Sequence, residues 1–213
     1  MKLESVGILI ELRWVGERDA VARIFSRDHG IMVGIIRGAA VAKKNKPLVG
    51  QIGNVSWNAR LDSQLGVFHW ESEQNMVADN FFNSDALGFI NSAFGLLSAM
   101  LPEREKYETM WIKTKEFLSG EISSETYLDW EILLLAELGY AIDQSNCGGC
   151  GCRNELTHLS PRTGHAVCAK CAEPFLGRLY PLPLNLGITR KFLEKIIVEM
   201  GGRDLPLGRK IIH

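Results

Sequence analysis

All five cysteines of the chain fall between positions 147 and 171. Four of them, Cys147, Cys150, Cys168 and Cys171, form C-x2-C-x17-C-x2-C. At that spacing two tight turns, joined by a hairpin, can each aim two thiolates at one tetrahedral zinc ion. Gly148, Gly149 and Gly151 permit the tight backbone of the first turn. The pattern predicts structural zinc, with a metal-free thiol cluster as the plainer alternative. Cys152 can replace Cys147 or Cys150 as a ligand. His158 and His165 are further potential ligands, although a surface position is the commoner role for a histidine in such a loop.

The same residues argue against catalysis. A redox Cys-x-x-Cys pair belongs at the head of a helix in a βαβ unit, whereas Cys147-Gly-Gly-Cys150 follows a predicted helix and opens a glycine-rich loop. A zinc deaminase needs H-x-E and P-C-x-x-C, but Val167 precedes Cys168, and His165-Ala166-Val167 lacks the glutamate. Four sulfur ligands also leave zinc no open position for water. A phosphate loop is missing, since GRDLPLGRK has the wrong spacing, and there is no G-x-S-x-G elbow. Glu17 and Asp19 lie in a turn and read as solvated. The sequence therefore predicts a binding protein rather than an enzyme, with a thiol or zinc-centred reductase or hydrolase as a further reading.

Charge is the second candidate chemistry. The net charge of −1 conceals +2 over residues 1–78, −7 over 79–139 and +4 over 140–213. Within 13–60 there are nine basic and three acidic residues. An anionic partner is thus compatible with a near-neutral chain, and solvated surface charge is the plainer account.

The elements that must position these groups fall into three blocks. In the first, SVGILIELRW alternates so that Ile8, Ile10, Leu12 and Trp14 share one face. AVARIF, IMVGIIR, NVSWNARL and VFHWE read as further strands, with Val55, Trp57, Ala59 and Leu61 on one face. Five short strands predict a small antiparallel barrel, with an SH3-like barrel or small sandwich fitting almost as well. Trp14 and Trp57 are both expected in its core. In the second block Leu87, Ile90, Phe94, Leu97 and Leu101 step at helical spacing up to Pro102. KYETMWIKTKEFLSG and SSETYLDWEILLLAELG predict two more helices, the last central to a bundle. The third block is the cysteine loop and a final helix, RKFLEKIIVEM, with Thr189 as its expected cap and Gly201-Gly202 at its end. The amino terminus has no signal-peptide pattern and no run is long enough to span a membrane. A cytoplasmic protein with reduced thiols is expected.

GERDAVARIFSRDHG, the Arg37-Gly38 step before a basic loop, LSPRTGHAVC and LPLPLNL, in that order around the cysteine pattern, resemble the RecO family of recombination mediators across essentially the whole chain. The resemblance implies an α+β fold: a five-stranded OB-fold barrel over residues 1–78, then a helical domain over 79–213 carrying the four-cysteine zinc knuckle at 147–171. It also implies binding of single- and double-stranded DNA and annealing of complementary strands. With RecR, such a protein helps RecA load onto DNA coated by single-strand binding protein, whose acidic tail docks on the helical domain. The DNA-binding residues expected are Arg18, Arg23, Arg27, Arg37, Lys43, Lys44, Lys46 and Arg60. Ala39, Ala40 and Val41 depart from the family, which tends to carry arginines there, and this shifts the load onto Lys43, Lys44 and Lys46. Arg190, Lys191 and Lys195 can extend the DNA path, receive the acidic tail or form a solvated helix face. A protein-interaction adaptor with incidental DNA contact is the alternative function.

Overall fold

The computed structural model describes residues 1–60 and 65–212. Two compact units emerge: Met1–Ser123 with Pro206–Ile211, and Ser124–Leu205 with Ile212.

The first unit opens with five strands, β1 (Lys2–Val15), β2 (Asp19–Ser26), β3 (Gly30–Ile36), β4 (Gln51–Asn58) and β5 (Gly66–Asn75). They close into a barrel in the order β1-β2-β3-β5-β4, an OB-fold. All neighbours are antiparallel except β3 and β5, which run parallel. An odd number of strands cannot alternate direction all the way round a closed ring, so the fully antiparallel barrel expected from the sequence cannot close. Leu9, Ala22, Ile24, Val55, Trp57, Phe68 and Trp70 form the heart of its core.

The alternation expected along β1 breaks in the middle. A register shift between Leu9 and Glu11 makes Ile10 the extra residue of a β-bulge, which exchanges the two faces of the strand beyond it. Leu9 and Leu12 therefore both face the barrel interior. Ile8 and Ile10 are buried outside that cluster. Trp14 lies opposite Ala20 on the inward side, but past the rim, where it is 48% exposed. Its expected place in the core is therefore corrected, whereas Trp57 is fully enclosed and donates its indole N–H to Val33 O at 2.9 Å. Leu61, expected on the Trp57 face, lies outside the described residues.

Two longer helices follow in this unit, α1 (Ser84–Met100) and α2 (Glu108–Ser119). Asn83 caps α1 by accepting from Ala86 N at 3.1 Å. Trp111 of α2 donates to Phe25 O of β2 at 3.2 Å, and Arg104 N in the intervening loop donates to Ile31 O at 2.9 Å. The change from strand to helix thus falls near residue 78, while the compact unit runs on to Ser123. At the junction, Gly30 has φ +61° and its α-carbon faces Glu105 O so closely that a β-carbon would overlap it. Gly30→Ala is expected to cost about 2–4 kcal/mol, combining a left-handed backbone with a backbone clash. The check is a lower urea midpoint at unchanged m value.

The second unit contains α3 (Ser124–Glu137), β6 (Leu156–Leu159), β7 (Ala166–Cys168), α4 (Ala169–Ala172), β8 (Tyr180–Pro181) and α5 (Leu186–Glu199). Trp130, Leu134 and Leu135 of α3 and Phe192, Leu193 and Ile196 of α5 are buried, and the two helices pack together. Thr189 is not the cap expected for α5. Asn185 holds that position, accepting from Ile188 N at 3.1 Å. Thr189 sits within the helix and gives its hydroxyl proton to the buried Glu131 Oε2 at 2.6 Å. Tyr127 donates to the other oxygen of that carboxylate at 2.7 Å, so both oxygens are satisfied by hydroxyls. A last short helix, α6 (Leu207–Lys210), returns to the first unit, where Pro206 fits against Gly95 of α1.

Candidate metal centre and nucleic-acid interface

The cysteine loop folds as a strand pair between two sulfur-bearing turns. Cys147 and Cys150 occupy a turn closed by Gly151 N donating to Cys147 O at 2.8 Å, with Gly151 at φ +76°. Gly148 N donates to Ala166 O at 2.9 Å, which ties that turn to β7. Cys168 ends β7 and Cys171 lies in α4. The sulfurs of Cys147, Cys150, Cys168 and Cys171 all lie within 4.8 Å of one another, and Cys150 and Cys168 are 3.8 Å apart. Sulfurs about 2.3 Å from a tetrahedral zinc stand ~3.8 Å from each other. The four residues expected from the spacing therefore come together in a set that fits a metal ion such as zinc.

The electrostatics agree. Cys147 accepts N–H bonds from Cys168 at 3.3 Å and Gly149 at 3.4 Å. The Cys168 amide, followed by that of Cys150, brings its thiol down to about 6. Cys171, beside Cys150 and Cys168, is pushed up to about 12. Four thiols so close cannot all ionise alone; a cation among them removes the conflict. Cys152 is not one of these four, although its thiol abuts Cys150 and Cys168, which push it up to about 12, and it donates to Asn154 O at 3.5 Å. Neither histidine joins it: His165 faces Asp143 at 3.4 Å and His158 bonds Thr157 at 2.9 Å.

The eight basic residues expected to meet DNA divide by strand register. Ile36, at the end of β3, pairs with Ala20 on one side and Phe68 on the other. The β1–β2 turn bearing Arg18 and the start of the basic loop at Arg37 therefore share one end of the barrel, whereas Arg60 follows β4 beside the start of β1, where Ala59 N donates to Met1 O at 3.1 Å. The basic loop is fastened at the shared end: Gly38 N donates to Asp19 at 2.8 Å, and Ala40 N to Arg18 O at 3.0 Å. Lys43, Lys44 and Lys46 follow on the same loop and are exposed. Among the described residues, none of these six cations has a recorded ion pair. Arg27 lies at the other end, in the β2–β3 turn, bonded to Asp28 at 3.2 Å. Hydrogen bonds from Arg27, then from Ser5, hold the Asp28 carboxyl below the usual range. Arg23 projects outward between Glu11 and Glu103, each 3.4 Å away.

An OB barrel rimmed with cations, together with a sulfur cluster in the carboxy-terminal half, narrows the comparison with known proteins. The family model described as "Recombination protein O C terminal" matches residues 82–201. The chain belongs to the RecO family. Curated relatives named "DNA repair protein RecO" match almost end to end. The one from Jannaschia sp. is 33% identical, covering 99% of this chain and 94% of that protein. That from Roseobacter denitrificans is 34% identical over 98% and 95%, and that from Paracoccus denitrificans 35% over 98% and 93%. The RecO family model covers α1 to α5 and the cysteine cluster, while the full-length relatives take in the barrel as well.

Two further observations bear on this RecO-family chain. Arg190 and Lys195 pair with Glu194 and Glu199 along α5, and Lys191 lies over the Tyr180 ring, 4.7 Å from its centroid. Much of the charge on that face is thus matched within the unit. Among the described residues, no helix is long and apolar enough to cross a membrane. Sequence reasoning missed the exposed Trp14. The signal for it lay in the bulge, which residue types alone do not reveal.

Proposed function

We propose that this RecO-family chain is a non-enzymatic recombination mediator. Its barrel grips the phosphates of single- and double-stranded DNA and anneals complementary strands without nucleotide. With RecR it helps RecA load onto DNA coated by single-strand binding protein, whose acidic tail docks on the helical part. The gathering of Arg18, Arg37, Lys43, Lys44 and Lys46 at one barrel end carries this reading, with Arg60 a separate cation beside the start of β1. Annealing requires two polyanions to approach, and neutralising their phosphates lowers that barrier without reading sequence. Arg23 and Arg27 stay in the proposed path with a smaller share, because exposed ion pairs contribute little and a phosphate can replace the carboxylate partner.

In this reading, residues 1–78 are the DNA-binding domain and 79–213 the partner-binding domain, working in the cytoplasm on the nucleoid. Zinc held by Cys147, Cys150, Cys168 and Cys171 is structural. With all four positions taken by sulfur it supplies no open site for a reaction.

Mobility-shift and annealing assays across salt test the proposal. If Arg18, Arg37, Lys43, Lys44, Lys46 and Arg60 all meet phosphates of a single strand, log affinity falls against log salt with a slope of roughly −4. Annealing proceeds without ATP. A slope near zero, with RecR or the acidic tail still captured, would instead establish the adaptor reading.

A further inference from the structure

We infer that Trp14 is a stacking platform for an unpaired nucleobase at the mouth of the barrel, an inference that rests on the nucleic-acid reading above. Three observations meet at this residue. The Ile10 bulge carries Trp14 to the inward side of β1, yet past the rim, so about half of a large indole is open to water. The barrel does not need it as core, because Ala20, Ala22 and Ala39 are already enclosed in the cluster. The cationic loop reaches the ring, with Lys46 Nζ 5.9 Å from its centroid. That loop is anchored at its far end, where Gln51 donates to Lys46 O at 3.2 Å and accepts from Leu48 N at 2.9 Å.

An exposed aromatic beside lysines is what a single strand requires. The lysines take phosphates while the ring offers a π-face to a base. In a duplex the base faces are already stacked on one another, and only edges and phosphates are within reach. Phosphate contacts alone hold both forms, so a stacking ring adds preference for the unpaired one. Trp57 cannot serve, being 1% exposed with Arg104 4.4 Å from its ring centroid.

Trp14→Ala should weaken binding of an oligothymidine strand about tenfold and leave an equal-length duplex within about twofold. The salt slope should not change, because no phosphate contact is removed. Trp14→Phe should recover most of the affinity, and a strand carrying 5-iodouracil should crosslink at residue 14. Should Trp14→Ala lower the denaturation midpoint, the phenylalanine variant and the crosslink decide the matter. Unchanged single-strand affinity, or an equal loss for duplex and single strand, overturns the stacking role while DNA binding stands. Failure of the unsubstituted protein to bind either DNA overturns both.

Discussion

Reversing charge at Lys43, Lys44 and Lys46 together, as K43E/K44E/K46E, is expected to lower affinity for a single strand by on the order of a hundredfold in dilute salt. Annealing without nucleotide should be lost with it. These three residues are exposed on one loop and have no recorded ion pair among the described residues. Reversal therefore removes attraction, adds repulsion and disturbs no buried partner. Apart from the Lys46 ammonium near the Trp14 ring, the loop's attachments run through backbone atoms and through Asp19 and Gln51, none of which the substitutions touch. Stability should stay within about 0.5 kcal/mol. The salt slope should become shallower by about 2, since each lost phosphate contact on a single strand contributes ~0.7. The slope and Trp14 are separable on this account: lysine reversal changes the slope, whereas loss of the indole changes affinity at constant slope. Undiminished annealing by the triple variant would remove the loop from the interface and leave Arg18, Arg37 and Arg60 to explain binding.

How far the sequence disclosed this arrangement depends on the range of the interactions involved. The cysteine spacing was fully legible because each C-x2-C turn is local, and glycines mark the strained positions. Val55 and Trp57 were legible because β4 alternates strictly from Gly53 to Asn58. β1 misled because Ile8, Ile10, Leu12 and Trp14 keep the same spacing on both sides of a bulge, and hydrophobic type does not record an extra residue in the ladder. Thr189 misled because it is a competent capping residue. What fixes the start of α5 is Asn185 four positions earlier, and what occupies Thr189 is a carboxylate 58 residues away in sequence. The close association of α1 and α2 with the barrel rests on contacts such as Trp111 to Phe25 O, 86 residues apart. No local pattern encodes a bond of that range. The candidate site repeats the lesson. Its cations were readable by type, but the pairing of Arg23 with Glu103, 80 residues away, was not.

Removing the metal is the sharpest way to separate brace from interface. Cys168→Ser, or a strong chelator under reducing conditions, is expected to take zinc content from about one ion per chain to near zero and to melt the segment from Cys147 to Pro181. That segment has little else to hold it. Its strands are four, three and two residues long, and among their side chains only Leu159, Ala166 and Cys168 are buried. Structural zinc contributes about 10–16 kcal/mol, comparable to the entire stability of an ordinary domain at roughly 5–15 kcal/mol. Hydrogen exchange should rise throughout the loop and leave β1 to β5 protected, because the barrel closes on its own hydrogen bonds and apolar cluster. Oligonucleotide affinity and its salt slope should then survive, while any partner that reads the cysteine loop is released. If the metal-free protein loses DNA binding with its barrel still protected, the ion or its loop lies within the grip itself, and bracing alone cannot account for the four sulfurs.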